Sequence, residues 1–182
     1  MLDSIGRFSS KGDGLMNKKY VVILMALFIL LVLAIPAQAT KPDSAEGVWS
    51  YFVYKAEVKE AGCNTFLTTY DYGKMTGTFE GETTEVGMVV EHCSGGVSFN
   101  GNMVFVGEVD SPAGARSGTM EMSVVGQCCD ENGWDGQWVI LSGTEELANL
   151  RGQGTWSGPG AGGPFVWGDV DYEGNIHFEG ND

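Results

Sequence analysis

The chain has 182 residues, 24 of them acidic and 10 basic, for a net charge of −14, and 43% are hydrophobic. That length and apolar content suit one domain with a core of its own. The acidity argues against nucleic acid or an anionic membrane as partner, because such a surface repels phosphates.

The first residues read as an address rather than as part of a fold. Lys18-Lys19 precedes an uncharged apolar run, residues 21–35, and then Pro36-Ala-Gln-Ala39. A basic start, an apolar stretch and an A-x-A site make an export signal, with cleavage expected after Ala39. The run, at about 15 residues, is short for a membrane span of about 20. Met16 makes a better start than Met1, since Met16-Asn-Lys-Lys opens a compact signal. A retained anchor is the alternative, and in both cases the remainder is exported, to the periplasm or outside the cell. No cysteine follows the run directly, so no lipoprotein anchor is expected, and the cleaved chain would have no hold on a membrane. Cleavage removes Arg7, Lys11, Lys18 and Lys19 against Asp3 and Asp13, which makes the rest more acidic still.

Residues 40–46 form a polar lead-in, and residues 47–182 are expected to form one β-domain. Residues 49–54 are aromatic and β-branched, a strand apolar on both faces. A turn at Glu60-Ala-Gly62 follows. In residues 64–81, Phe66, Thr68, Tyr70 and Tyr72 share one phase while Met75 and Phe79 take the other. An extra residue at Gly73 would restore one face, so a single long strand with a bulge is predicted. Residues 85–93 alternate, with Val86, Met88, Val90 and His92 on one face and Glu85, Gly87 and Glu91 on the other. Ser94-Gly-Gly96 turns the chain.

Residues 97–109 put Val97, Phe99, Met103, Phe105 and Val109 on one face, with Gly101 and Gly107 in phase. Such glycines relieve crowding where a sheet curls. After a turn at residues 111–114, Met120, Met122 and Val124 oppose Glu121 and Ser123. Residues 128–136 read as a polar loop. Residues 137–141 are β-rich, and Ser142-Gly-Thr144 breaks them. Thr144 is placed to cap a short helical turn that carries Leu147 and Leu150 on one face as a plug for the core. Asn149 and Gly152 tolerate the left-handed conformations expected on leaving it. A second strand runs to Trp156, a glycine-rich loop covers residues 157–163, and strands at 165–171 and 176–178 finish the sheet. Many short strands with glycine turns and no long amphipathic helix predict an antiparallel barrel.

An even number of cysteines in an exported chain suggests disulfides. Cys63, Cys93, Cys128 and Cys129 lack the C-x2-C spacing with nearby histidine that zinc needs, and no metal or other cofactor is expected. A bond between the neighbours Cys128 and Cys129 would strain the peptide unit, so the predicted scheme joins Cys63 and Cys93 separately to those two. In an up-and-down sheet, the loops at residues 60–63, 93–96 and 127–134 fall at one end, which gathers all four sulfurs.

Ser142-Gly-Thr144-x-Glu146-Leu-Ala148-x-Leu150-x-Gly152-x-Gly154 resembles the hallmark of a bacterial domain-of-unknown-function family with an allene oxide cyclase-like barrel. Dirigent proteins share that calycin-type architecture. Met75-Thr-Gly-Thr-Phe-Glu-Gly81, Phe99-Asn-Gly101, Gly107 and Gly118 continue the similarity. Glu145 and Asn149 stand where that family usually has glycine, and the cysteines depart from it. The resemblance implies a barrel of about eight strands, closed by the turn around Leu147. It carries no catalytic position onto this chain.

Candidate acid/base groups are His92, on an apolar face, and the carboxylates Glu91 and Glu121, provided they point into the barrel. Glu121 is expected at the surface, since Met120, Met122 and Val124 need the core. His177 reads as outward-facing. Asp169-Val-Asp171-Tyr-Glu173-Gly174 resembles half of a calcium loop, but Gly180 stands where the bidentate glutamate should be. Asp130, Glu131, Asn132 and Asp135 form a second loose acidic group. Neither is expected to hold a metal.

The sequence thus predicts an exported all-β protein, an antiparallel up-and-down barrel of about eight strands with a helical turn near 144–150. The expected function is binding of a small apolar ligand in the barrel, with a cyclase or isomerase as the alternative. No motif sets an oligomeric state.

Overall fold

Eight strands follow one another around a ring: β1 (Asp43–Ala61), β2 (Asn64–Gly77), β3 (Phe79–Glu91), β4 (Val97–Val109), β5 (Arg116–Asp130), β6 (Gly133–Gly143), β7 (Leu150–Gly158) and β8 (Trp167–Phe178). Each pairs antiparallel with the next, and β8 pairs with β1, so the sheet closes into the up-and-down barrel that the strand pattern predicts. Closure leaves no free strand edge to template association. The computed structural model describes residues 42–112, 114–130, 133–160 and 164–180, without the side chains of Cys129 and Asp130. The expected signal, residues 1–39, lies outside them.

Period-two alternation decides which side chains enter the barrel. On β4 and β5 the predicted faces are the buried ones: Phe105, Val109 and Met120 are fully buried, and Met122 and Val124 nearly so. One half of the interior is packed solid. Phe79 stacks on Tyr172 at 5.2 Å and meets the Trp138 ring edge-on at 5.7 Å. The Tyr172 hydroxyl accepts from the Phe79 backbone N–H at 3.0 Å and donates to the Thr76 carbonyl at 3.2 Å, so its burial leaves no polar group unpaired. Trp138 lies across Gly154 and Gly174, Cα partners on β7 and β8; a Cβ on either would come within 2.6 Å of the indole.

Several boundaries differ from the sequence reading. The supposed lead-in is already strand: β1 starts at Asp43, and Ala45 is buried against the core. Residues 64–81 are a hairpin, not one bulged strand; β2 ends at Gly77, which has φ 107°, and β3 begins at Phe79. The apparent phase change has a physical cause. Tyr72 belongs to an outer cluster with Phe52, Tyr54 and Trp167, while Thr69, Asp71, Gly73 and Met75 form one unbroken inner face. The bulge lies in β1, where the register slips between Val53 and Lys55. Residues 128–136 are mostly strand, and β8 is one strand rather than two.

The helical turn, Glu145–Leu147, forms where expected, and Leu147 and Leu150 are both fully buried. Its details differ. Thr144 occupies the cap position but makes no capping side-chain bond; its backbone N–H donates to the Thr119 carbonyl at 2.8 Å, which ties the turn to β5. The left-handed residue is Glu145, at φ 55°, rather than Asn149 or Gly152. Asn149 serves through its carbonyl, which accepts from Glu179 N–H at 2.7 Å. Gly152 is needed for space, since a Cβ there would approach Ile176 Cγ2 to 2.7 Å.

Candidate functional site

The β2–β3 hairpin sets two acids side by side inside the barrel. Asp71 and Glu85 are Cα partners across the ladder, each only 4% exposed. Both belong to the inner phase, Asp71 with Thr69 and Met75, Glu85 with Phe79 and Thr83. Their side chains lie close enough to share a proton, and Asp71 Oδ1 and Glu85 Oε1 have no other partner in the protein. Two ionised carboxylates are acceptors only, so a hydrogen bond between them requires a proton. Burial pushes Asp71 up to about 7, the bond from Glu85 acting in the opposite sense. Burial, the Asp71 charge and their shared hydrogen bond push Glu85 well above the usual carboxylic range. Near neutral pH Glu85 therefore holds the proton and donates it to Asp71, and the two titrate as a pair.

The neighbouring strands make room for this pair. A Cβ on Gly101 of β4 would run into the Glu85 carboxyl, with its Cδ only 2.8 Å away. On the other side, the β1 bulge at Val53 and Lys55 lies opposite Asp71 and Tyr70. A bulge beside an inward polar group re-aims the strand at that level.

The pair forms part of the wall of a cavity of about 140 Å³. Among the described residues, the remaining wall is Trp49, Tyr51, Val53, Leu67, Thr69, Val89, Phe99, Trp134, Trp156 and Pro164, with no lysine, arginine or histidine. The rings are fixed by bonds of their own. Trp49 Nε1 donates to Thr83 Oγ1 at 3.1 Å and Trp156 Nε1 to the Val125 carbonyl at 3.1 Å. Trp134 and Trp156 stack at 6.5 Å, and Phe99 meets each edge-on at 6.3 Å. Pro164 belongs to the β7–β8 connection, so the cavity lies toward the end of the barrel opposite the Leu147 plug.

That end also carries the cysteines, but not in the predicted pairing. Cys63 is bonded to Cys93, with Cα atoms 5.2 Å apart. The register explains it: Thr65 pairs with Glu91, so the residues just beyond the ends of β2 and β3 meet, and Asn64 Oδ1 accepts from Cys93 N–H at 2.9 Å. Cys128, whose Cα partner is Val97 on β4, is also disulfide-bonded. The side chain of Cys129 lies outside the described residues.

The sequence candidates stand elsewhere. Glu91, His92 and Glu121 all face solvent; His92 Nε2 lies 2.8 Å from Ser98 Oγ, and Glu121 accepts from Ser142 Oγ at 3.1 Å. The face shared by Val86, Met88 and His92 is the outer one, with Val86 51% exposed. Asp169, Asp171 and Glu173 alternate along the outer face of β8, and Glu131 and Asn132 lie outside the described residues. Sequence reasoning missed Asp71 and Glu85 because it equated the apolar face with the core. The phase of Gly81 and Gly87, which Glu85 shares, was the available signal.

These features define a class: a small closed antiparallel β-barrel, plugged at one end, with an acid pair in a cavity toward the other. No protein-family model matches the chain, and no curated protein matches it in sequence. Among solved structures it is similar to a protein of unknown function from the DUF3224 family of Shewanella oneidensis, with a TM-score of 0.58 and 17% identity over 78% of this chain and 100% of that one. That likeness is one of fold.

Proposed function

We propose that this protein is an extracytoplasmic binding protein whose barrel holds one small, mostly apolar molecule, gripped at a polar group by Asp71 and Glu85. The observation that carries this reading is the aromatic-walled cavity of about 140 Å³ with the Asp71–Glu85 acid pair in its wall. A packed interior has few voids larger than a water molecule. A dry cavity of about 150 Å³ takes a molecule of benzene's size, so the volume fits a compact ring or the end of a chain. Eight strands give an interior just wide enough for one small ligand where side chains do not fill it. The Cys63–Cys93 disulfide supports an oxidising compartment, in line with the export expected from the sequence.

The test is native mass spectrometry of protein made in an oxidising compartment, with a thermal-shift titration against toluene and benzyl alcohol. The expected result is a co-purified mass that denaturation releases, or a saturable rise in melting temperature. Absence of both, in protein with its disulfides intact, sinks the reading.

A second reading is an acid–base enzyme of cyclase or isomerase type, in line with the allene oxide cyclase-like resemblance. What favours it is one protonated carboxyl beside one that ionises near neutrality, an arrangement able to give and take a proton at the same substrate. Chemical change in a bound molecule, lost in Glu85→Gln with binding kept, would separate it from simple binding.

A further inference from the structure

We infer that the cavity selects a small organic cation, a primary ammonium on an apolar body, with its N–H groups directed to the Asp71–Glu85 acid pair. This rests on the cavity being a ligand site, and names the chemical class of what it holds.

The geometry poses a problem that such a ligand solves. Two acids are buried together, and among the described residues the wall around them supplies no basic side chain. Asp71 Oδ1 and Glu85 Oε1 are buried without a hydrogen-bond donor from the protein. A buried charge is normally paired, and a buried acceptor normally hydrogen-bonded. An ammonium brings up to three donors and the missing positive charge at one atom. The rest of the wall is aromatic, with Trp49, Tyr51, Phe99, Trp134 and Trp156, which suits both an apolar body and a cation near ring faces. The net charge of −14 raises the local concentration of cations at such a cleft.

Other ligand classes fit less well. A carboxylate or phosphate would meet like charge. A neutral alcohol offers a single donor to the pair and leaves the Asp71 charge uncompensated. A calcium ion needs about 6–8 oxygen ligands, and among the described residues no group of three or more metal-binding side chains occurs.

A proton balance follows. Titratable groups facing the cavity are Asp71 on β2, Glu85 on β3 and Tyr51 on β1; β4, β6 and β7 present Phe99, Trp134 and Trp156. Where Asp71 begins protonated, seating R–NH3+ expels its proton to solvent, and the Asp71 carboxylate becomes the counter-ion. Where Asp71 is already ionised, no proton is released. Affinity therefore rises with pH, by up to about tenfold per unit below the Asp71 titration, and levels off above it until the amine itself loses its proton.

The experiment is isothermal titration of the exported protein, disulfides intact, with benzylamine, benzyl alcohol, toluene and benzoate at about pH 6 and about pH 8. Benzylamine is expected to bind at least about tenfold tighter than benzyl alcohol at the higher pH. At the lower pH, buffers of different ionisation heat should reveal proton release. Asp71→Asn should erase the preference for benzylamine while toluene still binds, and Glu85→Gln is a second variant with the same expected direction. If benzyl alcohol or toluene binds as tightly as benzylamine, the ammonium inference is overturned and the pocket stands. If none of the four binds, the pocket reading falls and takes this inference with it.

Discussion

Asp71 and Glu85 face each other across one rung of the β2–β3 ladder, both buried, and among the described residues no basic side chain stands in the cavity wall they share. A fold that builds such a pair gives up stability for it, because each ionisation must be accommodated away from water.

That cost depends on pH in a definite direction. Asp71 is raised from 3.8 to about 7 by burial, and Glu85 is raised well above the usual carboxylic range by burial and by the Asp71 charge beside it. A carboxyl that holds its proton more tightly when folded contributes stability that is full below its unfolded value and lost as pH rises through its folded value. The wild-type protein should therefore gain on acidification from about pH 8 to about pH 4 relative to the Asp71→Asn/Glu85→Gln double variant, by roughly 4 kcal/mol for the Asp71 shift alone. Urea unfolding of both proteins at both pH values measures it. An equal stability gap at the two pH values would refute the assignment.

The Cys63–Cys93 bond closes a stretch with a sequence separation of 30 and ties the β1–β2 turn to the end of β3 at the cavity end of the barrel. Chain-entropy reasoning gives a loop of that length about 3–4 kcal/mol. Cys63→Ser/Cys93→Ser should lower stability by that order in denaturant unfolding. It should also loosen ligand binding, since the turn borders the cavity strands. A variant as stable as wild type would show that the turn is held by backbone pairing alone.

How far the sequence carried this fold depended on what marks the inside of a small barrel. On β4 and β5, apolar residues and glycines fell in one phase, and the predicted face was the buried one. On β3 the two signals disagreed. Val86 and Met88 are apolar yet 51% and 43% exposed, while Glu85 lies inside in the phase of Gly81 and Gly87. Glycine phase marked the interior because side chains crowd there; hydrophobicity did not, because the outer wall is partly apolar and the inner wall carries the polar site. The disulfide pairing was illegible for a different reason. It follows from strand register, and register was set by a hairpin turn at Gly77 that the sequence reading moved to the far side of Gly81.

At the opposite end, Leu147 seats over Gly118 and Gly143, whose added Cβ atoms would lie 3.1 Å and 3.4 Å from its side chain. It is fully buried, so Leu147→Ala leaves a cavity at this end of the core. The expected loss is about 2–5 kcal/mol, seen as a lower melting temperature. Ligand affinity at saturating folded fraction should be unchanged, because the solid half of the core separates the plug from the cavity. A change in affinity as large as the change in stability would show instead that the two ends are coupled.

Glu145 opens the helical turn at φ 55°, one of two described non-glycine residues with positive φ, the other being Phe165. An L-residue there places its Cβ against the following carbonyl, at about 1–2 kcal/mol. Glycine removes that strain but adds freedom to the unfolded chain, which returns part of the gain. Glu145→Gly should therefore raise stability modestly, by about 0.5–1 kcal/mol. Glu145→Ala keeps the Cβ and discards only the charge. The Glu145 carbonyl accepts from Ala148 N–H at 3.3 Å, a bond that either substitution preserves. If alanine stabilises as much as glycine, the effect is electrostatic, arising from the neighbouring Glu146, whose Oε2 accepts from Ser117 N–H at 2.9 Å. If glycine alone stabilises, the backbone is the cause, and Glu145 is held in a strained conformation by the turn around it.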